Sequence, residues 1–150
     1  MEIIRVKNDS DCQICDEFLE KLIKFEAGCD SLILENVKVK DIHKNSLKHD
    51  NVYIAYVTDK SPIGYIFAYL KNPKGKINSK NVIVLEALFV EEHYRRKGVG
   101  KLLMKSLENW AKECFEKDFV VEITSINKNE NAFGFYKHLG YNEVKTILRK

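Results

Sequence analysis

The segment from Val82 to Leu103 constrains the folds open to this chain more than any other part of its sequence. It reads VIVLEALFVEEHYRRKGVGKLL, an apolar run followed by a basic turn with two glycines and then by apolar residues at helical spacing. This pattern predicts a buried strand, a tight turn and a helix that begins near Gly98. The free N–H groups at the start of that helix would face the turn, and a helix N-terminus attracts anions.

The turn has the composition of a phosphate-binding site. Gly98 and Gly100 let a ligand approach the backbone closely, because neither residue carries a Cβ atom. Four cationic side chains surround the two glycines: Arg95, Arg96, Lys97 and Lys101. Arginine binds phosphate oxygens in a bidentate manner, and lysine contributes a point charge. The sequence therefore predicts a ligand with more than one phosphate group.

Two common phosphate motifs do not fit the spacing of this turn. A P-loop needs a Ser or Thr after its lysine to bind magnesium, but Lys101 is followed by Leu102. A dinucleotide fingerprint needs a third glycine, but position 103 is Leu. The spacing thus disfavours nucleoside triphosphates and dinucleotides as ligands.

The pattern that remains, Arg-x-x-Gly-x-Gly after an apolar strand, resembles the acyl-CoA signature of the GNAT superfamily of N-acyltransferases. The stretch from Asn129 to Tyr141, NENAFGFYKHLGY, resembles the second signature of that superfamily, with an Asn, a Phe-Tyr pair and then a Gly with an aromatic residue. The chain is faintly nearest to the spermidine/spermine-type or aminoglycoside-type N-acetyltransferases. Lys24-Phe25-Glu26, for example, faintly resembles the Lys-Tyr-Glu of the polyamine enzymes.

Residues 1–150 are predicted to form a single N-acetyltransferase domain of the α/β class, with a mixed, mostly antiparallel sheet and helices on both faces. The resemblance implies that the two central parallel strands splay apart. Periodicity and turn residues predict strands at 2–7, 51–58, 62–71, 81–90 and 119–124, helices at about 9–25, 36–48, 98–117 and 130–138, and one or two closing strands after Gly140.

The resemblance implies that acetyl-CoA is the co-substrate and that no metal takes part. The main chain at Leu88, Phe89 and Val90 would hold the pantetheine arm. The pyrophosphate would lie on the turn formed by Arg95, Arg96, Lys97, Gly98, Val99, Gly100 and Lys101. Asn129 and Tyr136 would contact the CoA arm, although Asn131 instead of Asn129 could cap the helix that follows.

Two side chains are candidates for acid–base catalysis. Glu86 is the only ionisable residue between Val82 and Val90, and a carboxylate in a buried strand is costly unless it is paired or its pKa rises. It is the predicted general base, while an ion pair or an edge position would explain it structurally. Tyr136 is implied by the resemblance as the acid that protonates the departing thiolate, although its helical spacing also suits a ring packed on the sheet.

The acceptor would be the primary amine of a small cationic molecule or a peptide, attacking the thioester directly. Carboxylates and aromatic rings suit such a cation, as in a polyamine, an aminoglycoside or a lysine-like side chain, and a peptide N-terminus or an amino acid stays open. The predicted acceptor wall consists of Phe25, Glu26, Asp30, Tyr53 and Glu86. The alternative function is a CoA-binding sensor or partner domain without catalysis.

Composition limits the partners of this chain. A net charge of +3 is mild, and Glu91, Glu92 and Glu108 lie beside the basic turn, so nucleic-acid binding is not expected. No apolar stretch approaches the length of a membrane span, so no membrane partner and a cytoplasmic location are predicted. The Cys12-x-x-Cys15 pair lacks a second pair, and the four His residues, predicted at the surface, show no ligand spacing. A homodimer is compatible with the resemblance.

Overall fold

The structure is a computed structural model that describes residues 1–75 and 77–150. A short 3-10 turn, Glu92–Tyr94, precedes the third helix. In chain order the elements are β1 (Glu2–Arg5), α1 (Asp9–Ala27), α2 (Ile42–Ser46), β2 (Val52–Asp59), β3 (Ser61–Asn72), β4 (Asn81–Val90), α3 (Val99–Phe115), β5 (Phe119–Ile123) and α4 (Glu130–His138).

The five strands form one sheet in the order β1-β2-β3-β4-β5. Neighbours from β1 to β4 are antiparallel, and β5 runs parallel to β4 because α3 carries the chain back across the sheet. The predicted fold class, a mixed sheet with helices on both faces, is confirmed.

Each face of the sheet has its own apolar core. Under α3, residues such as Leu103 and Leu107 pack with Ile66 and Ile83 of the sheet. Under α1, Phe18 belongs to the second cluster, together with Tyr65 and Phe89. Burial of each large apolar side chain contributes roughly 1.5–3 kcal/mol, so both helices are held mainly by the sheet and not by their own propensity.

A β-bulge in β4 lies at Glu86. Phe67 of β3 is opposite Ala87 and the next residue, Ala68, is opposite Leu85, so Glu86 has no partner on β3. The extra residue reverses the side-chain alternation: Leu85 packs in the core under α3, whereas Ala87 packs in the core under α1. Glu86 is consequently exposed although the strand around it is largely buried, and the expectation of a buried carboxylate at this position is wrong.

The parallel strands separate just beyond the bulge. Pairing of β4 with β5 runs from Asn81 opposite Phe119 to Leu85 opposite Ile123 and ends there. The rest of β4, up to Val90, pairs with β3 on its other side. The splay that the resemblance implied is therefore present, and it opens a gap between β4 and the segment after β5.

The closing strands predicted after Gly140 are absent from the described residues. Residues 141–150 form neither helix nor strand, and their apolar side chains Val144, Ile147 and Leu148 are exposed. The segment is tied by side chains instead, with Lys145 Nζ 3.8 Å from Glu122 and Arg149 bound to Asp30. The prediction is wrong because its apolar residues reach neither core.

His43 is buried completely, contrary to its predicted surface position. Its Nδ1 lies 2.6 Å from Oδ1 of Asp16, and its backbone N–H donates to the same oxygen at 3.2 Å. Burial lowers the pKa of His43, so the imidazole is neutral and Nδ1–H is the donor. This pair fastens α2 to α1. No helix in the described part of the chain is long and apolar enough to span a membrane.

Candidate active site

A cleft opens where β4 and β5 separate. Its walls come from the last turns of α1, the middle of β4, the loop after β5 and the inner side of α4. Five of the predicted site residues line it together: Glu26, Glu86, Leu88, Asn129 and Tyr136. Its remaining lining residues are Leu22, Leu85, Ala87, Ile123, Thr124, Ser125, Ile126 and Ala132.

The basic turn leads directly into α3 and leaves the start of that helix open. Arg96 and Gly98 both have left-handed backbone angles, with φ of 60° and 86°. No side chain caps α3, and the N–H of Leu102 makes the bond to the Gly98 carbonyl at 2.9 Å. The N–H groups that precede Leu102 therefore have no helical acceptor and can bind an anion.

The two glycines of the turn are required for different reasons. Gly98 needs a positive φ, and a Cβ added to it would meet none of the described atoms within 4 Å. A Cβ on Gly100 would lie 3.1 Å from Cζ of Phe135, so this glycine lets α4 pack closely against α3. Of the two turn glycines, Gly98 is the one that combines a left-handed backbone with open space in front of it.

The four cationic side chains of the turn are not equivalent. Arg95 donates from Nε to the carbonyl oxygen of Val90 at 3.0 Å, and its guanidinium carbon lies 5.7 Å from the ring centre of Phe25 and 5.9 Å from that of Phe89. This arginine is thus held between the end of β4 and α1. The other three, Arg96, Lys97 and Lys101, are exposed beside the open helix start.

Tyr136 projects from α4 into the cleft. Its ring packs edge-on against Phe135 and Tyr141, with centroids 5.3 and 6.0 Å away. Burial raises the pKa of Tyr136, with smaller contributions from Tyr141 and Glu26, so the phenol stays protonated at neutral pH. Such a group can donate a proton to a strong base such as a thiolate.

Asn129 is the N-cap of α4. Its side-chain oxygen accepts a hydrogen bond from the N–H of Ala132 at 3.2 Å. The alternative that Asn131 caps this helix is wrong. The cap fixes where α4 begins, and it therefore fixes the depth at which Tyr136 enters the cleft.

Two carboxylates face the cleft without a cation beside them. Glu86 accepts a long hydrogen bond of 3.4 Å from the hydroxyl of Tyr69, and neither Glu86 nor Glu26 forms an ion pair within the described ranges. The structural explanation of Glu86 as an ion-pair partner therefore finds no support. Burial raises the pKa of the half-buried Glu26, and the charge of Glu86 raises it further.

The other residues of the predicted acceptor wall lie elsewhere. Phe25 is beside Arg95, near the basic turn. Asp30 accepts both guanidinium N–H groups of Arg149, at 2.9 and 3.0 Å, and does not line the cleft.

Tyr53 is on the opposite face of the sheet. It is 4% exposed, in the core under α3, with its ring 5.5 Å from that of Trp110. The reason is the strand alternation in β2, which points residue 53 towards α3. Tyr53 is therefore removed from the acceptor wall.

Sequence reasoning missed two polar residues near the cleft. Ser125 follows β5 and lines the cleft, and its buried Oγ has no hydrogen-bond partner in the described chain. Tyr69 contacts Glu86 from β3. A lone serine in a loop and a tyrosine in a strand carry no distinctive signal in one sequence. Across the residues that the structure describes, no three His, Cys, Asp or Glu side chains form a metal site.

Two curated acetyltransferases are similar to this chain in sequence. The chain is 27% identical over 135 residues to an uncharacterized N-acetyltransferase of Methanocaldococcus jannaschii, covering 88% of this chain and 58% of that protein. It is 27% identical over 103 residues to streptothricin acetyltransferase A of Bacillus subtilis, covering 66% of this chain and 60% of that protein. The chain thus spans about three fifths of the length of these curated relatives.

Solved structures share the fold. The BH1408 protein from Bacillus halodurans, solved as a tetramutant, has a TM-score of 0.85 at 16% identity, over 100% of this chain and 99% of that one. Aminoglycoside N-acetyltransferase AAC(6')-Iy in complex with CoA has a TM-score of 0.72 at 18% identity, over 99% and 97%. Residues 17–141 match the family model described as acetyltransferase (GNAT) family. Because that match spans most of the sequence, this chain belongs to the acetyltransferase (GNAT) family.

Proposed function

We propose that this protein transfers an acetyl group from acetyl-CoA to a primary amine of a small cationic molecule or a peptide. One observation carries the proposal: the splay places two carboxylates and a protonated tyrosine around one cleft. Proton acceptors and a proton donor are what aminolysis of a thioester needs. The family to which the chain belongs supports acetyl-CoA as the co-substrate.

The pyrophosphate of CoA would lie at the start of α3. Gly98, Val99, Gly100 and Lys101 supply backbone N–H groups there, and Arg96 and Lys97 supply charge. The pantetheine arm would extend from that point through the gap along β4, where main-chain groups of Leu88 and Phe89 have no partner on β5. Val90 can contribute less to binding the pantetheine arm, because its carbonyl oxygen already accepts a hydrogen bond from Arg95.

The reaction follows from these positions. A neutral amine nitrogen attacks the thioester carbonyl carbon, the C–N bond forms, and the C–S bond breaks. Tyr136 gives its proton to the departing sulfur and regains one from the new amide nitrogen. The base that first deprotonates the bound ammonium is one of the two cleft carboxylates, Glu26 or Glu86, of which the sequence pointed to Glu86.

The acceptor is proposed to be cationic. The two carboxylates lack cationic partners in the described structure, and the hydroxyl of Tyr69 lies 3.4 Å from Oε2 of Glu86. An ammonium group would neutralise the carboxylates. Streptothricin acetyltransferase A and the aminoglycoside enzymes are named for amine-bearing small molecules, which supports this class of acceptor.

Thiol release from acetyl-CoA tests the proposal against a panel of polyamines, aminoglycosides, streptothricin, amino acids and short lysine peptides. Tertiary analogues of the same amines, which cannot form an amide, serve as matched controls. We expect turnover with one cationic class and none with its tertiary analogue. Calorimetry on the same sample measures acetyl-CoA affinity: binding without any turnover would favour the sensor alternative, and no binding would overturn the proposal.

Three properties of the whole protein stay predictions: a single domain, a cytoplasmic location and a homodimer. Analytical ultracentrifugation with and without acetyl-CoA measures the oligomeric state directly.

A further inference from the structure

The two cleft carboxylates, Glu26 and Glu86, differ in their position and their surroundings. Resting on the proposed acetyl transfer, we infer that Glu26 is the general base that removes the proton from the acceptor amine, and that Glu86 binds the acceptor's positive charge. This reverses the roles that the sequence suggested, in which Glu86 was the base and Glu26 part of the acceptor wall.

Glu26 lines the cleft together with Tyr136 of α4. It stands in the last turn of α1, in a wall that faces both the middle of β4 and the inner side of α4. Its charge contributes to raising the pKa of Tyr136, the proposed acid, whereas Glu86 is not among the groups that do so. Glu86 in turn contributes to raising the pKa of Glu26. Glu26 therefore interacts electrostatically with both other groups of the cleft.

The surroundings of the two carboxylates differ in the same direction. Glu86 is exposed at the bulge, and its Oε2 lies 3.4 Å from the hydroxyl of Tyr69. Glu26 is half-buried against β4 and α4. An exposed carboxylate can meet the body of a cationic acceptor as it arrives, whereas a partly desolvated one is placed to exchange a proton with the amine that has entered.

Among the groups that face Glu26, the carboxylate of Glu86 disfavours its negative charge, and the two tyrosines are neutral. Glu86 faces it from β4, Tyr136 from α4, and the completely buried Tyr65 from β3, where Glu26 also contributes to raising the tyrosine pKa. No lysine or arginine in the described residues forms an ion pair with it. Burial is the largest cause of the raised pKa, which brings this carboxylate nearer to the range that suits a base at neutral pH.

The proton balance is complete without a further reactant. The acceptor arrives as an ammonium ion, and a carboxylate oxygen of Glu26 takes one proton from it. The neutral nitrogen then forms the C–N bond, the C–S bond breaks, and Tyr136 protonates the sulfur. The second proton of the nitrogen restores the phenol, and Glu26 releases its proton to water as the acetylated product leaves.

The experiment compares Glu26→Gln with Glu86→Gln, with acetyl-CoA and the panel amine that the wild type turns over fastest. We expect Glu26→Gln to lower kcat about 100-fold while the KM for the amine changes less than about threefold, as loss of a general base requires. The deficit should shrink as the pH rises towards 10, where the bound amine loses its proton unaided. Glu86→Gln should raise the KM for the amine about 10-fold or more and leave kcat within about threefold.

Two further variants make the comparison specific. Glu26→Asp keeps the carboxylate and should recover part of the rate lost in Glu26→Gln. Glu17→Gln, an exposed change on the same helix and outside the cleft, should leave kcat and KM unchanged. Calorimetry and thermal unfolding of each variant report acetyl-CoA binding and folding.

The outcomes separate this assignment from the proposed reaction. If Glu86→Gln shows the large kcat loss with its pH dependence and Glu26→Gln shows only a KM change, the assignment is overturned while the reaction stands. If the wild type binds acetyl-CoA but acetylates no amine, the proposed function fails and the assignment fails with it.

Discussion

The basic turn lies at the start of α3 and the two cleft carboxylates lie beside β4, and these two regions are built in different ways. The turn is distinguished by its backbone, with a left-handed Gly98 and an uncapped helix start beside a few exposed cations, and its proposed ligand is a phosphate. The proposed acceptor wall consists of side chains from distant parts of the chain, with Glu26 on α1 and Glu86 at a bulge in β4.

This difference explains why the basic turn is easier to predict from the sequence than the acceptor wall. A backbone site needs particular residues at fixed local spacing, because glycine alone tolerates positive φ without cost. A side-chain wall needs only that suitable groups converge after folding, and many sequences meet that condition. Substitutions that disturb the backbone of the turn should therefore weaken acetyl-CoA binding. Substitutions that remove a functional group from the cleft should instead reduce turnover or amine binding.

Gly98→Val is expected to have the largest effect. A β-branched residue at a φ of 86° is strained, and the new side chain would project into the open space proposed for phosphate. We expect the Kd for acetyl-CoA to rise at least about 100-fold, equivalent to about 2.7 kcal/mol. Isothermal calorimetry measures it.

A second glycine provides the control for this variant. Gly140 has a φ of 92° and similar open space, but it follows α4 and is not part of the basic turn. Gly140→Val should carry comparable strain and leave acetyl-CoA affinity within about threefold. Equal losses of affinity in both variants would show that strain alone, and not the turn, is responsible.

Tyr136→Phe should separate binding from chemistry. The ring packing against Phe135 and Tyr141 is kept, while the proton donor is lost. We expect kcat to fall about 100-fold with acetyl-CoA affinity nearly unchanged. Since the pKa of Tyr136 is raised, wild-type kcat should show no loss of this acid between pH 7 and about 9. Steady-state kinetics across this range measure both effects, and full activity of the variant would assign the acid elsewhere.

Acid pH should lower the stability of the fold through His43, which lies on the α1 side of the sheet. Because burial lowers the pKa of His43, the unfolded chain binds more protons than the folded chain below about pH 6.5. The free energy of unfolding should then decrease as the pH falls, by up to about 1.4 kcal/mol per pH unit from this one group.

Urea unfolding between pH 5 and 7 measures this dependence. His43→Gln should flatten it, while His49→Gln, an exposed change, should not. An unchanged slope in His43→Gln would mean that other groups cause the acid sensitivity.

Tyr53→Phe should have the smallest effect and none on catalysis. The hydroxyl interacts with Arg5 and Ser106 on the α3 face, so its loss should cost about 1 kcal/mol of stability. The KM values for the amine and for acetyl-CoA should stay at wild-type values, because the residue does not line the cleft. A raised KM for the amine would contradict this prediction and show that Tyr53 contributes to acceptor binding.

Most of the fold was predictable because its signals are local. The hairpin of β2 and β3, the strand before the basic turn and the helix after it all follow from hydrophobic period and turn residues. The bulge at Glu86 was not predictable, since an inserted residue looks like any other in a strand of this composition. The closing strands failed because Val144, Ile147 and Leu148 have strand-forming character but contact neither core.

The site was predictable to the extent that it depends on local motifs. Asn129, Tyr136 and the basic turn lie in two short signatures, and the structure places the first two in the cleft and the turn at the start of α3. Tyr53 was misplaced because a strand residue's face depends on register, which composition does not determine. His43 was misplaced because its partner Asp16 is 27 residues away in the sequence.

The bulge at Glu86 also determines how the strand tolerates length changes. Before it, Ile83 and Leu85 face α3, and after it, Leu88 and Val90 face α3 while Phe89 faces α1. Deleting Glu86 would join Leu85 directly to Ala87, whose side chains already face opposite sides of the sheet, so every later side chain of β4, Phe89 included, would keep its face. The bulge is therefore a position at which β4 could lose a residue without exchanging its two cores, and the loss would remove a cleft carboxylate and leave a regular strand.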